Sequence, residues 1–120
     1  MKTVIILIAL VIPAVAAAAE RKLPLHSGQY TFQHKFAEHP NMKSISLTAR
    51  ITGSPIVLIN ERESDAFPKG VIADGTLMWH SKSKQWIIGQ DGSDRHARNV
   101  GRCTDGPEVV DLEHRVYWTC

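Results

Sequence analysis

Apolar and polar residues alternate along much of this chain. Tyr30, Phe32, His34 and Phe36 are interleaved with Thr31, Gln33 and Lys35. Ile45, Leu47, Ala49 and Ile51 are interleaved with Ser44, Ser46, Thr48 and Arg50. A period of two places alternate side chains on opposite faces of a strand, so each segment predicts a half-buried strand. His34 falls in an inner row, where a histidine is expected to be a core residue with a satisfied hydrogen bond. Thr52-Gly53-Ser54-Pro55 reverses the chain after the second strand. The unbroken run Ile56 to Ile59 then predicts a strand covered on both faces.

The sharpest hairpin signal lies between Thr76 and Gly89. A turn centred on Lys82-Ser83 sets Trp79 opposite Trp86 and Leu77 opposite Ile88. The longest alternation is the last one. Val110, Leu112, His114, Val116, Trp118 and Cys120 form one row, and Val109, Asp111, Glu113, Arg115, Tyr117 and Thr119 the other. Read as one strand, it buries His114 and turns Asp111 and Glu113 outward.

Between these elements lie turn-rich segments. Asn60 to Gly70 reads as a loop, with one helical turn conceivable over Glu61 to Ala66. Gln90 to Gly101 reads as a polar connection, long for a small β domain. No amphipathic helix longer than two turns is visible after residue 20. Five or more short strands separated by turn residues predict a mainly β, single-domain antiparallel barrel or sandwich, and the pattern leaves both open.

The first residues follow a different logic. Met1-Lys2, the apolar run Val4 to Ile12, Pro13 and the alanines at 16–19 have the layout of a secretory signal peptide. The run is short for a bilayer span. Residues 1–19 are therefore read as a leader and 20–120 as one secreted or periplasmic β domain, with no membrane attachment after cleavage. Export changes the reading of the two cysteines. Cys103 and Cys120 are expected to form an intramolecular disulfide, the alternatives being two thiols or a bridge between chains. Two cysteines this far apart do not form a zinc pattern.

Charge excludes more than it suggests. Without Lys2, thirteen Lys and Arg face twelve Asp and Glu, with no basic run interleaved with aromatics, so no nucleic-acid role is expected. Six histidines are the one compositional excess, and they could make surface charge pH-sensitive. Ser81-Lys82-Ser83-Lys84 fits S-x-x-K only formally, because that dyad requires a helix and these residues form a turn. Asp111 and Glu113 are spaced for acid-base work on a glycoside, yet a solvated strand face also accounts for them. No metal-ligand spacing occurs among the histidines, and neither a cofactor nor a metal is expected. The C-D-G-P turn and the terminal Y-W-T-C match no motif of known chemistry.

The stretch Gln90 to Asn99 is the candidate surface, through Asp91, Asp94, Arg95, His96 and Arg98. Long polar loops on a rigid β scaffold often recognise partners, although a solvated connection reads the same way. The expected function is macromolecular binding by a small exported domain of the inhibitor, immunity or effector type, with a protein partner. No catalytic constellation is present, so no enzymatic activity is expected. A carrier of a small apolar ligand is the alternative, and a hydrolytic enzyme the third reading.

Overall fold

The computed structural model describes residues 2–6, 8, 21–65 and 67–120. The leader assigned to residues 1–19 lies mostly outside them. Seven strands follow one another: β1 (Gly28–Phe36), β2 (Ser46–Ile51), β3 (Pro55–Asn60), β4 (Gly70–His80), β5 (Gln85–Gly89), β6 (Glu108–Asp111) and β7 (Val116–Thr119). Each pairs with the next, and β7 returns to β1, so the sheet is a closed barrel. The sandwich alternative is thereby set aside. Six pairings are antiparallel, and the closing pair β1–β7 is parallel, from Gln33↔Val116 to Phe36↔Thr119. With seven strands that alternate in direction, the first and last must point the same way. Closure removes the unpaired strand edges that promote aggregation.

The two longest strands serve two neighbours each. β1 pairs with β2 through Gln33 and with β7 from Gln33 onward. β4 pairs with β3 up to Thr76 and with β5 from Thr76 onward. A register shift between Leu58 and Ile59 leaves Ile72 as the extra residue of a β-bulge, which helps bend the sheet.

Every strand sends side chains into one core. Phe32, Leu47, Ala49, Ile51, Ile56, Leu58, Leu77, Trp86, Ile88, Val110 and Tyr117 are all buried there, with Leu112 from the last turn. Leu23 and Leu25 of the irregular arm before β1 pack against them. The expected aromatic pair is present: Trp79 lies opposite Trp86, with ring centroids 5.4 Å apart in an edge-on arrangement. Such a pair adds about 0.5–1.5 kcal/mol beyond area burial. A second, smaller core of Met78, Ile87, Val100 and Val109 forms on the outside of the sheet. There Ala97 and Trp118 pack against it.

Four expectations change. The final alternation is two strands, not one. The chain turns between Asp111 and Val116, where the Asp111 carboxylate accepts the His114 backbone N–H at 2.9 Å and Arg115 takes a φ of 55°. A single carboxylate positioned to cap a turn outweighs a period-two pattern that the turn residues fit by coincidence. Tyr117 therefore points inward and Trp118 packs on the outer core, the reverse of the single-strand reading. Ile56 to Ile59 alternates between buried and half-buried instead of being covered on both faces. No helical turn forms over the described residues of 61–66, whereas a short 3-10 helix occupies Gly92–His96 in the stretch read as an irregular connection.

The interior also carries polar groups, each with a partner. The Tyr117 hydroxyl donates to Glu108 Oε2 at 2.6 Å. Burial, reinforced by that carboxylate, pushes the tyrosine far above its ordinary range. His34 is 2 % exposed. Its Nε2 meets Thr119 Oγ1 at 2.7 Å and its Nδ1 meets Ser44 Oγ. Phe36 and Phe67 pack edge-on against the ring.

His34 opposes acid, and His114 is not the buried histidine the alternation predicts. His114 is 76 % exposed and its Nδ1 lies 2.8 Å from Asp111 Oδ2, so the burial expected of it is overturned. Burial lowers the His34 pKa below 6.5. The folded state then resists a proton that the unfolded chain accepts. This contribution is fully present above the unfolded pKa and is lost as pH falls through it towards the folded value. The slope in that window is at most about 1.4 kcal/mol per pH unit. Urea denaturation between pH 7 and 5 should therefore show a shallower acid limb for His34→Gln than for the parent. An unchanged slope would remove His34 from this role.

Candidate basic groove

The stretch singled out by sequence divides into two parts once folded. Its first half is self-contained. Asp91 caps the 3-10 helix by accepting the Ser93 N–H at 2.9 Å, and Asp94 Oδ2 accepts the N–H groups of Gln90 and Asp91 at 2.7 and 3.2 Å. This is a reciprocal capping box. The backbone and side chain of Ser93 hold the Asp91 carboxyl below its ordinary range. Both carboxylates are thus engaged in shaping the loop. Arg95 is half-buried, and His96 is exposed at the helix end.

The second half faces a groove. Arg98 lines a depression of about 450 Å³ together with Lys82, Ser83, Asn99, Arg102 and Thr104. Lys82 comes from the β4–β5 turn, Arg98 from the exit of the 3-10 helix, and Arg102 from the following turn. Three cations from three segments therefore converge. Among the described residues, no Asp or Glu lines this groove.

His80, 1 % exposed, fixes two of these segments to each other. Its Nε2 donates to the Ala97 carbonyl at 2.7 Å. Its Nδ1 accepts from the Ser83 hydroxyl at 2.7 Å and from the Ser83 N–H at 3.2 Å. The ring thus bridges the β4–β5 turn and the residue preceding Arg98. Lys82 Nζ donates to the Arg98 carbonyl at 3.5 Å, a long contact across the same join.

Arg102 is held by an unusual backbone. Gly101, Arg102 and Cys103 all have positive φ, at 57°, 49° and 59°. Glycine takes this conformation without strain, whereas each of the other two residues costs about 1–2 kcal/mol. Three constraints maintain it. The Gly101 N–H donates to the Pro107 carbonyl at 2.9 Å, the Thr104 N–H donates to the Gly101 carbonyl at 3.0 Å, and Cys103 is bonded to Cys120. Strain of this kind is often concentrated where a side chain must be presented in one orientation.

Sequence reasoning found Arg98 through its loop and missed Lys82 and Arg102. Lys82 reads as an ordinary turn lysine, and Arg102 sits beside a cysteine with no periodic signal. Their convergence depends on the 97–107 segment folding back over the outer core through Val100. Asp111 and Glu113 lie outside this groove. Asp111 is committed to His114, and Glu113 is exposed in the turn. Among the described residues, no group of three or more His, Cys, Asp or Glu is placed to hold a metal ion.

The fold and groove define a closed seven-stranded β-barrel with a cationic groove on its outer face. No family model, curated protein or solved structure matches the chain.

Proposed function

We propose that this protein is an exported binding module that engages an acidic segment of a partner protein through the groove of Lys82, Arg98 and Arg102. The observation that carries the reading is the convergence of three cations with no carboxylate among the described lining residues. An uncompensated cationic groove favours anionic groups, and the forked guanidinium of arginine matches a carboxylate with two parallel hydrogen bonds. A protein partner is favoured over nucleic acid because three charges suit a short acidic segment. Among the described residues the groove offers no exposed aromatic platform for bases, Val100 being the one apolar side chain that lines it. The disulfide is compatible with an oxidising compartment and supports export. No described helix is long and apolar enough to cross a membrane. A carrier role has less support, since large side chains from every strand occupy the barrel interior.

Isothermal titration with peptides rich in Asp and Glu tests this reading. The paired reversal Arg98→Glu with Arg102→Glu should weaken binding about 100-fold, each lost charge-assisted contact being worth about 1.5 kcal/mol or more. Binding should also fall with added salt. Equal affinity for the parent and reversed proteins, or tighter binding to single-stranded nucleic acid than to the peptides, would sink the proposal.

A further inference from the structure

A second depression, of about 300 Å³, opens beside the β4–β5 turn and shares only Gln85 with the basic groove. The Trp79–Trp86 pair lines it, and Asp111 and Glu113 contribute carboxylates. Arg21 forms part of its wall. The Arg21 guanidinium carbon lies 4.5 Å from the centroid of the Trp79 ring, well inside cation–π range. Arg21 belongs to the arm that precedes β1, which Leu23 and Leu25 anchor on the core.

We infer that this pocket is a receptor for a guanidinium group, that Arg21 covers the Trp79 face within it, and that an arginine side chain of a partner peptide takes Arg21's place. The lining chemistry selects for this ligand. An indole face attracts cations, and a planar, weakly hydrated guanidinium stacks on it better than a compact ammonium. The two carboxylates outnumber Lys84, the remaining lining cation once Arg21 leaves. Burial tends to raise the Asp111 carboxyl, but hydrogen bonds from the His114 backbone and ring outweigh it and keep Asp111 below its ordinary range. The tether sets how readily an external arginine enters. A group held on a short arm acts at a millimolar effective concentration, so an external arginine competes poorly until the arm moves away.

Titration of tryptophan fluorescence tests the inference, using arginine methyl ester and the tripeptide Gly-Arg-Gly as probes. Arg21→Ala, a change at an exposed position, should bind both probes about tenfold more tightly than the parent. A peptide with citrulline in place of arginine should not saturate the pocket. Glu113→Gln, also at an exposed position, should weaken probe binding several-fold. Tighter binding of the tripeptide than of the ester would support a peptide segment as the source, and equal or weaker binding of the tripeptide would overturn it in favour of a free guanidinium compound. Equal affinity in the parent and Arg21→Ala, no saturation in either, or unchanged binding of the citrulline peptide would overturn the inference. The acidic-peptide titration reports on the other groove, so either result can fail without the other.

Discussion

Gly106→Ala is expected to destabilise the protein by about 3 kcal/mol, at the upper end of what overpacking usually costs. A Cβ added there would sit 1.7 Å from the Asn99 carbonyl oxygen, 2.6 Å from its carbonyl carbon and 3.3 Å from Val100 Cα. All three are backbone atoms, so no side-chain rotation relieves the clash. The 97–100 segment must lift away from the 104–107 turn. Val100 would then withdraw from the outer core beside Met78 and Ile87, and Arg98 and Asn99 would leave the basic groove. Loss of stability and loss of acidic-peptide binding should therefore appear together. Gly92→Ala is the control. Gly92 is exposed in the 3-10 helix and nothing lies within 4 Å of its added Cβ, so its effect should stay within about 0.5 kcal/mol. Urea denaturation of the two variants compares them directly. Similar stabilities would show that the two backbone segments do not pack as described.

The second large effect concerns the cross-link. Cys103 and Cys120 are bonded and lie 17 residues apart in sequence. Closing a loop of this length restricts the unfolded chain by about 3 kcal/mol. Cys103→Ser with Cys120→Ser should lower Tm by roughly 10–20 °C for a domain near 100 residues. The bridge also has a local consequence. It ties the strained turn carrying Arg102 to the end of β7, where the Thr119 carbonyl accepts the Ala37 N–H at 2.7 Å. Without it, Arg102 and Cys103 are free to leave the left-handed region, and affinity for acidic peptides should fall in addition to stability. A double variant with parental Tm and parental affinity would show that the hydrogen bonds of the turn suffice alone.

The sequence was most informative where one physical requirement dominates a segment. In β1 and β2 the only demand is one face in and one face out, and period two reports it directly. The Trp79–Trp86 hairpin was legible because a short symmetric turn determines register. The disulfide was legible from the number of cysteines together with the leader-like pattern of the first residues. The reading failed where two requirements competed. From Val109 to Cys120 the alternation is real, but the Asp111 carboxylate turns the chain before the pattern can run its length. His114 was misplaced for that reason, while His34 fell where the pattern put it. The 3-10 helix was missed because Asp91 and Asp94 read as generic loop residues, although Asp at both ends of a three-residue spacing is a capping signal.

By itself, then, the chain's pattern determined a mainly β domain, its strand-by-strand inner rows, one hairpin register and one cross-link. These follow from local periodicity and from the count of reactive groups. Only the tertiary structure decided that the sheet closes, because closure depends on β7 reaching β1, a pairing between residues more than eighty positions apart. Only it brought Lys82, Arg98 and Arg102 to one groove and laid Arg21 over Trp79. Charged side chains on turns carry no periodic signature. Their positions relative to one another are determined by how the connecting segments pack on the barrel, through contacts such as Gly106 against Asn99 and His80 against Ala97.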